Sequence, residues 1–420
     1  MSAIETAATE TPARWATSRM VTPFDKSGKR LAEDRCIKRF TYLACRPFLP
    51  VMGLTRQRSD SNMKLHTLRT TTTAPHDRGR EIGTRYADQV RDVSARYLAH
   101  FSVLGVPEAT VRDIAAHSHD ALRDWYPGLA EESDGIAEAS GIEPWQVAAV
   151  GARTEVLTAA PSPGKGECTT AVYAPPAGGP PETIQTWDWH DSLTPDGLLL
   201  SLVTGTRRRV KLFTEFGTAA KIGVNDAGLG LHFNILRHRS DNATGGVPVH
   251  AVARRVLEEA TTVAEARDII ASATVSASTV LTVATYGDGH AAAASVEMSP
   301  AGIAVVRPDT DGWVIHTNHF LDSGLVDGDT STSETMSVER YEHARAVRGG
   351  MTGHSAPERA AAFCGGDGAA AVVCVHADAS QPGHEQWGTL LTASLDLPGF
   401  ALEYRAGNPD TAAREGLDQF

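Results

Sequence analysis

Gly164-Lys165-Gly166-Glu167-Cys168-Thr169-Thr170-Ala171 is the stretch on which the reading of the fold turns. A Pro/Gly breaker over residues 160–166 runs straight into a β-branched segment whose first residue is a cysteine. Were the chain cut before Cys168, one residue would carry both a thiol and a free α-amine. An α-amine of ordinary pKa, roughly 7.7–8.0, can serve that thiol as a base near neutral pH, so no distant histidine is needed. Taken alone, a cysteine at a strand start reads equally well as a core residue.

The two sides of this point differ in periodicity. Upstream, residues 77–157 read as helical. Ile82, Tyr86, Val90, Val93 and Tyr97 recur at spacings of three and four, and Pro127 and Gly141 stand where helix ends are expected. Downstream, short β-rich runs cover residues 169–174, 183–189, 198–203, 210–215, 220–224 and 228–236, with turn signals such as Pro195-Asp196-Gly197 between them. One or two amphipathic helices follow over 249–273. Strands return at 279–284, 291–298, 302–307 and 312–317, a helical stretch spans 333–362, and strands at 389–396 and 401–405 close the chain. Strands, then helices, then strands predict antiparallel sheets layered with helices, an α+β fold.

Composition narrows the function classes. Residues 1–62 hold 11 Lys/Arg against 6 Asp/Glu, whereas the rest hold 28 against 45, within a net charge of −12 over 420 residues. An acidic body argues against nucleic acid and anionic membranes as partners. No run of 18 apolar residues predicts a membrane span. Five unevenly spaced cysteines, Cys36, Cys45, Cys168, Cys364 and Cys374, do not form a disulfide framework and suggest a reducing cytoplasm. Cys364 and Cys374 read as buried hydrophobes. The basic, aperiodic residues 1–62 read as a disordered extension or mis-assigned start, with Met63 opening the folded part. The weak aldolase-like string Met20 to Asp25 has too little chain around it to build a barrel. His117, His119, His316 and His319 lack zinc-ligand spacing, so no metal is expected. Gly365-Gly366-Asp367-Gly368 lacks the Lys-Ser/Thr of a phosphate loop.

Several ordered motifs recur from about Asp77 to Asp410. They are Arg78-Gly79-Arg80-Glu81-Ile82-Gly83; Tyr126-Pro127 followed by Gly135-Ile136-Ala137; Ala152-Arg153-Thr154-Glu155; Cys168-Thr169-Thr170-Ala171; and Trp187-Asp188. Further along stand Gly223-Val224-Asn225-Asp226-Ala227-Gly228, Phe233-Asn234, Gly246-Val247-Pro248, His316-Thr317-Asn318-His319 and Gly407-Asn408-Pro409. In this order they resemble the acyl-coenzyme A:6-aminopenicillanic acid acyltransferase (isopenicillin N acyltransferase) family, cysteine N-terminal-nucleophile hydrolases of the peptidase C45 type. The resemblance implies a four-layer αββα sandwich and a zymogen that cuts itself between Glu167 and Cys168. A helical pro-region over 63–167 would become one fragment and a catalytic domain over 168–420 the other, the two staying associated.

The resemblance also implies roles. Asp188 would orient the new α-amine, Asn318 would donate its side-chain amide to the developing oxyanion, and Asn234 would hold a second oxyanion position, with Asn225 as a rival match. Residues 152–155 would be a strand before the cleavage loop, with Arg153 and Glu155 able to pair. Gln185 stands where bile-salt-hydrolase relatives place Arg, and Trp387 where the fungal acyltransferase pattern has Arg. Both departures bear on the substrate. The expected activity is acyl transfer or amide hydrolysis on a small-molecule acyl donor, with an amine as possible acceptor. No cofactor is implied, although acyl-coenzyme A is a candidate substrate. The rival expectation is an uncleaved, catalytically silent protein that keeps the fold and binds small molecules.

Overall fold

A computed structural model describes residues 63–161, 167–331 and 335–420, the side chain of Glu167 excepted. The expected extension over 1–62, with Cys36 and Cys45, and most of the expected cleavage loop, 162–166, lie outside the described residues.

The chain opens with strand β1 (Lys64–Arg69) and then six helices. These are α1 (Pro75–Arg85), α2 (Ala87–Val103), α3 (Glu108–Trp125), α4 (Pro127–Ser140), α5 (Pro144–Gly151) and α6 (Arg153–Leu157). The apolar stripe read in the sequence is the buried face of α1 and α2: Ile82, Val90, Val93 and Tyr97 are all buried. Pro127 begins α4, and Gly141 ends it in the left-handed conformation, φ 71°, where a Cβ would be strained.

After the described residues resume, six strands follow: β2 (Glu167–Tyr173), β3 (Glu182–Trp189), β4 (Asp196–Val203), β5 (Arg209–Glu215), β6 (Ile222–Asn225) and β7 (Leu229–Ile235). Next come α7 (Val249–Glu259), α8 (Val263–Ala271), β8 (Thr279–Gly287), β9 (His290–Ser299), β10 (Gly302–Val306) and β11 (Trp313–His316). The chain closes with α9 (Ser337–Val347), α10 (Ala356–Cys364), β12 (Gly388–Asp396), β13 (Ala401–Ala406), α11 (Pro409–Glu415) and the short β14 (Asp418–Gln419).

The strands form two sheets. One has eight strands in the order β1-β4-β5-β6-β7-β8-β9-β10, and the other six in the order β11-β2-β3-β12-β13-β14. All pairings are antiparallel except β1 on β4. The sheets lie face to face, with β2 against β7 and β12 and β13 against β6. Trp187 and Phe213 meet across that interface with ring centroids 5.2 Å apart. The strands are buried nearly end to end because both faces are covered. Helices α7 and α8 cover the outer face of the larger sheet, while α9, α10 and α11 cover that of the smaller one. The result is the α+β, four-layer αββα sandwich, with the helical N-terminal region beside it.

Two readings of local structure need correction. Of residues 152–155, expected as a strand, Ala152 is the N-cap and the other three open helix α6. The helical turn sends Arg153 toward Glu215 and Glu155 toward the Val249 N–H that begins α7, and these buried partners outweigh the β-branched content of the segment. The helical stretch over 333–362 is two helices, parted around Gly349, Gly350 and Gly353.

The Arg78-Gly79 and Gly135-Ile136-Ala137 motifs have a packing explanation. Helices α1 and α4 cross so closely that a Cβ on Gly79 would lie 2.0 Å from the Glu132 carbonyl oxygen, and one on Gly135 2.2 Å from that of His76. At the same crossing the buried Glu132 accepts Arg78 Nε at 2.6 Å and Arg254 Nη2, from α7, at 3.1 Å. Gly135→Ala should therefore force the helices apart and destabilise the fold by about 1–3 kcal/mol. Urea denaturation checks this, since an unchanged midpoint would mean that the crossing relaxes freely.

Candidate active site

Cys168 sits near the start of β2, buried at 4% exposure. The β2–β3 register sets it across from Trp187 and sets Glu167 across from Asp188. The order and spacing of Cys168 and Asp188 thus become proximity through one hairpin.

Two asparagines from different elements converge on the Cys168 backbone. Asn318, two residues past the end of β11, accepts the Cys168 N–H on Oδ1 at 2.9 Å and donates Nδ2 to the Ile235 carbonyl at 2.8 Å. A backbone N–H can only donate and a carbonyl only accept, so these partners fix which way the amide points. One of its two N–H protons remains for another acceptor. Asn318 is itself braced: its N–H donates to Ser337 Oγ at 2.8 Å, and the loop beyond is held by Glu297. That carboxylate accepts Leu321 N–H at 2.6 Å and approaches His316 Nε2 at 2.9 Å. His316 therefore has a carboxylate partner in space that sequence spacing did not reveal. No cluster of three or more potential metal ligands exists among the described residues.

Asn234 reaches across from β7 in the other sheet. Its Nδ2 donates to the Cys168 carbonyl at 3.1 Å and the His316 carbonyl at 3.3 Å. Its Oδ1 accepts from Thr170 Oγ1 at 2.7 Å and Gln185 Nε2 at 3.3 Å. Gln185, singled out for its departure from Arg, thus orients Asn234. The rival match, Asn225, instead closes a turn, donating to the Leu257 and Ala260 carbonyls at 3.0 and 2.8 Å.

Arg340 of α9 escaped the sequence reading. It is fully buried, and its Nη1 donates to the Cys168 carbonyl at 2.7 Å and Thr169 Oγ1 at 2.9 Å, while its Nη2 donates to Asn318 Oδ1 at 2.9 Å. A fully buried arginine in a helix otherwise taken as a solvated layer leaves no periodic signal. Arg153 and Glu155 do not pair. Arg153 donates to Glu215 Oε1 at 2.9 Å, and Glu155 receives the Val249 N–H.

The electrostatics are those of a closed, uncut chain. Burial pushes the Cys168 thiol up to about 12, the Asp188 carboxylate adds to this, and the Lys221 and Arg340 charges oppose it. Burial likewise raises the Asp188 carboxyl to about 6, against the Arg340 charge and the nearby Thr389 and Thr186 hydroxyls. Neither Asp188 oxygen has a hydrogen-bond partner of ordinary geometry among the described residues. A cavity of about 270 Å³ opens beside the site. Leu157, Ala160, Trp189, Ile235, Leu236 and Arg237 line it, and the Ile235 carbonyl in its wall is the one that holds Asn318.

A family model of acyl-coenzyme A:6-aminopenicillanic acid acyl-transferase matches residues 179–411. The chain belongs to that family. The matched span holds Asp188, Asn234, Asn318 and Arg340 and begins after Cys168. Among acyl-transferases of this kind, the 40 kDa form of acyl-coenzyme A:6-aminopenicillanic-acid-acyltransferase from Emericella nidulans is 27% identical over 214 residues, 51% of this chain and 58% of that protein. The match thus spans little more than half the relative's length. Two solved structures are also similar. A Caenorhabditis elegans ortholog of N-acylethanolamine-hydrolyzing acid amidase has TM-score 0.40 and 12% identity, covering 56% of this chain and 96% of the other. Penicillin V acylase from Agrobacterium tumefaciens has TM-score 0.34 and 14% identity, covering 60% and 98%. No described helix is long and apolar enough to cross a membrane.

The raised Asp188 carboxyl has a stability consequence. An acid whose folded-state pKa exceeds its unfolded value destabilises the fold once it is ionised. That penalty is complete above about pH 6, shrinks as pH falls, and vanishes below about 3.8. In an uncut Cys168→Ala background, Asp188→Asn should stabilise the protein at pH 7 by roughly 3 kcal/mol, at about 1.4 kcal/mol per pKa unit. The gain should disappear near pH 3.8. Paired urea titrations at the two pH values decide it; a gain independent of pH would assign the effect to packing.

Proposed function

We propose that this chain is an autoproteolytic cysteine N-terminal-nucleophile enzyme that transfers or hydrolyses an amide- or thioester-linked acyl group. The observation that carries the reading is the treatment of the Cys168 backbone: its N–H is held by Asn318 and its carbonyl by Asn234 and Arg340, on a strand paired with that of the fully buried Asp188 carboxylate. A merely structural cysteine needs none of this.

Maturation begins when Cys168 Sγ attacks the Glu167 carbonyl. The thiol proton passes to Asp188, whose carboxyl, at about 6, is ionised but basic enough to take it near neutrality. The Glu167–Cys168 C–N bond breaks as the nitrogen takes up a proton. Water then cleaves the thioester, leaving a carboxyl on Glu167 and a free amine on Cys168. That amine gives one proton to Asn318 Oδ1, as the amide does now, and another to an oxygen of Asp188. The Asp188–amine contact is charge-assisted.

In turnover the amine accepts the thiol proton and the thiolate attacks the substrate carbonyl. The remaining Asn318 N–H, with backbone donors, stabilises the oxyanion where charge develops. The amine protonates the leaving group, and water or an acceptor amine then takes the acyl group from sulfur. The cavity beside Asn318, with an apolar wall of Leu157, Ala160, Trp189 and Leu236 and charged groups at Arg237, Arg239 and Asp241, suits an acyl group of modest size that carries a polar end. Acyl-coenzyme A remains a candidate donor on the strength of the fungal relative's name. Hydrolase and transferase share every residue of this scheme, so the acceptor decides between them.

Mass spectrometry and Edman sequencing should find two fragments, the larger beginning Cys-Thr-Thr-Ala. Cys168→Ala should remain uncut and inactive against N-acyl amino acids and acyl-thioesters. An intact chain that turns over these substrates would sink the maturation scheme, and an intact, inert chain would favour the silent binding protein. In the mature enzyme, Asn318→Ala should lower kcat roughly 10²–10³-fold with a much smaller change in KM, if one oxyanion donor is lost.

A further inference from the structure

Cys168 also faces a buried cation. Lys221, in the turn before β6, is 2% exposed. Its Nζ lies 3.1 Å from Glu215 Oε1 and 3.2 Å from His250 Nε2. An ammonium only donates, so His250 accepts on Nε2 and carries its own proton on Nδ1. The third ammonium proton makes no hydrogen bond among the described residues. The charge rests over aromatic faces, 4.8 Å from the Trp187 ring centroid and 5.4 Å from that of Phe233.

Trp187 is the cross-strand partner of Cys168. Directly opposite side chains project from the same face of a sheet with Cβ atoms about 4.5–5.5 Å apart. The thiol and the ammonium therefore flank one indole ring, in an interior where a charge acts strongly over such a span. Glu215 alone does not explain the lysine, because Arg153 already neutralises that carboxylate at 2.9 Å. Two cations around one carboxylate leave a net positive charge beside Cys168.

We propose that Lys221 is the electrostatic positioning residue that holds the Cys168 thiolate, with its own charge maintained by Glu215. The inference rests on the cysteine-nucleophile reading above. Lys221 keeps its proton throughout; the thiol proton goes to the Cys168 amine. The groups facing this pair are Glu215 on β5, His250 on α7, Arg153 on α6, Tyr97 on α2, Asp188 on β3 and Arg340 on α9. Of these, Arg153 presses the ammonium toward its neutral form and Glu215 restores it. Together with burial they leave Lys221 at about 8, mostly charged at pH 7. On the sulfur, Asp188 opposes the thiolate while Lys221 and Arg340 favour it.

The test is the pH dependence of Cys168 alkylation by iodoacetamide in the mature protein, read from the mass of the Cys168 peptide. Lys221→Met and Lys221→Gln should move the inflection upward by about one pH unit and slow alkylation at pH 7 by roughly tenfold, as about 1.4 kcal/mol per unit requires. Lys221→Arg should restore most of the rate. Profiles of folded Met or Gln variants that superimpose on the wild type would overturn the proposal. A second measurement needs no substitution: ¹⁵N-lysine NMR of the wild type before and after Cys168 is blocked. Linkage is reciprocal, so losing the thiolate should lower the Lys221 titration point. An unchanged titration would likewise overturn the proposal. Failure of the underlying reading looks different, as a Cys168 without a free amine in the wild type.

Discussion

Glu215 is the interaction on which the rest of the structure depends. Its carboxylate lies fully buried at the end of β5 and accepts from Arg153, Lys221 and Thr194, and from the Tyr97 hydroxyl through a short contact. Tyr97 accepts in turn from Trp189 Nε1 at 2.9 Å, and the Arg153 guanidinium stacks over the Trp189 ring at 4.2 Å. Burial alone would raise this carboxyl. Arg153 and Lys221 instead hold it down at about 2, so it is ionised near neutral pH. Such a cluster persists because its opposite charges are paired; removing one partner of a buried ion pair costs about 3–5 kcal/mol, since the remaining charge has nowhere to go.

That network fixes what surrounds Cys168. Trp189 and Trp187 stand on either side of Asp188 on one strand, and each indole is packed against a cation, Arg153 or Lys221. Asp188 between them is fully buried, across from Glu167 in the β2–β3 register, in an interior that disfavours its charge. The same logic governs the amides. Asn318 and Asn234 reach Cys168 from loop and opposite sheet, and each is turned by obligate donors and acceptors around it. The position of the Cys168 backbone is thus set by groups from both sheets and from α9.

Much of this was legible in the sequence, and the exceptions share a cause. Periodicity marked the helical region, the strands and the Pro127–Gly141 helix, because local patterning follows burial on one face. Cys168, Asp188, Asn234 and Asn318 were found because motif order carries information across long separations, and the structure gathers all four. Arg340 and Lys221 were missed. Each is a charged residue buried by side chains and backbone that only the fold brings around it, and a lone Arg in a helix or Lys near a strand reads as a solvated side chain. The strand expected at 152–155 failed similarly: Thr154 and Val156 favour extended backbone, but the buried partners of Arg153 and Glu155 decide in favour of a helix. Gly79 and Gly135 were seen as motif letters, and only the helix crossing supplies their reason.

The distribution of partners between the two halves of the chain has a consequence for any cut before Cys168. Tyr97, Arg153 and Glu155 lie upstream of it; Glu215, Lys221 and Val249 lie downstream. If the upstream fragment left, Glu215 would lose the Arg153 charge and the Tyr97 hydroxyl, the Val249 N–H would lose Glu155, and Arg254 would lose Glu132. Loss of even one such buried charge partner is worth several kcal/mol, and these losses would fall together with exposure of the apolar faces of α2 and α5. Dissociation is therefore opposed by the same buried charges that set the environment of the thiol. Removing the upstream fragment would also remove Arg153, so the lysine beside Cys168 would be left to balance Glu215 alone. On the proposed reading, the charge environment of Cys168 would hold only while both fragments stayed in place.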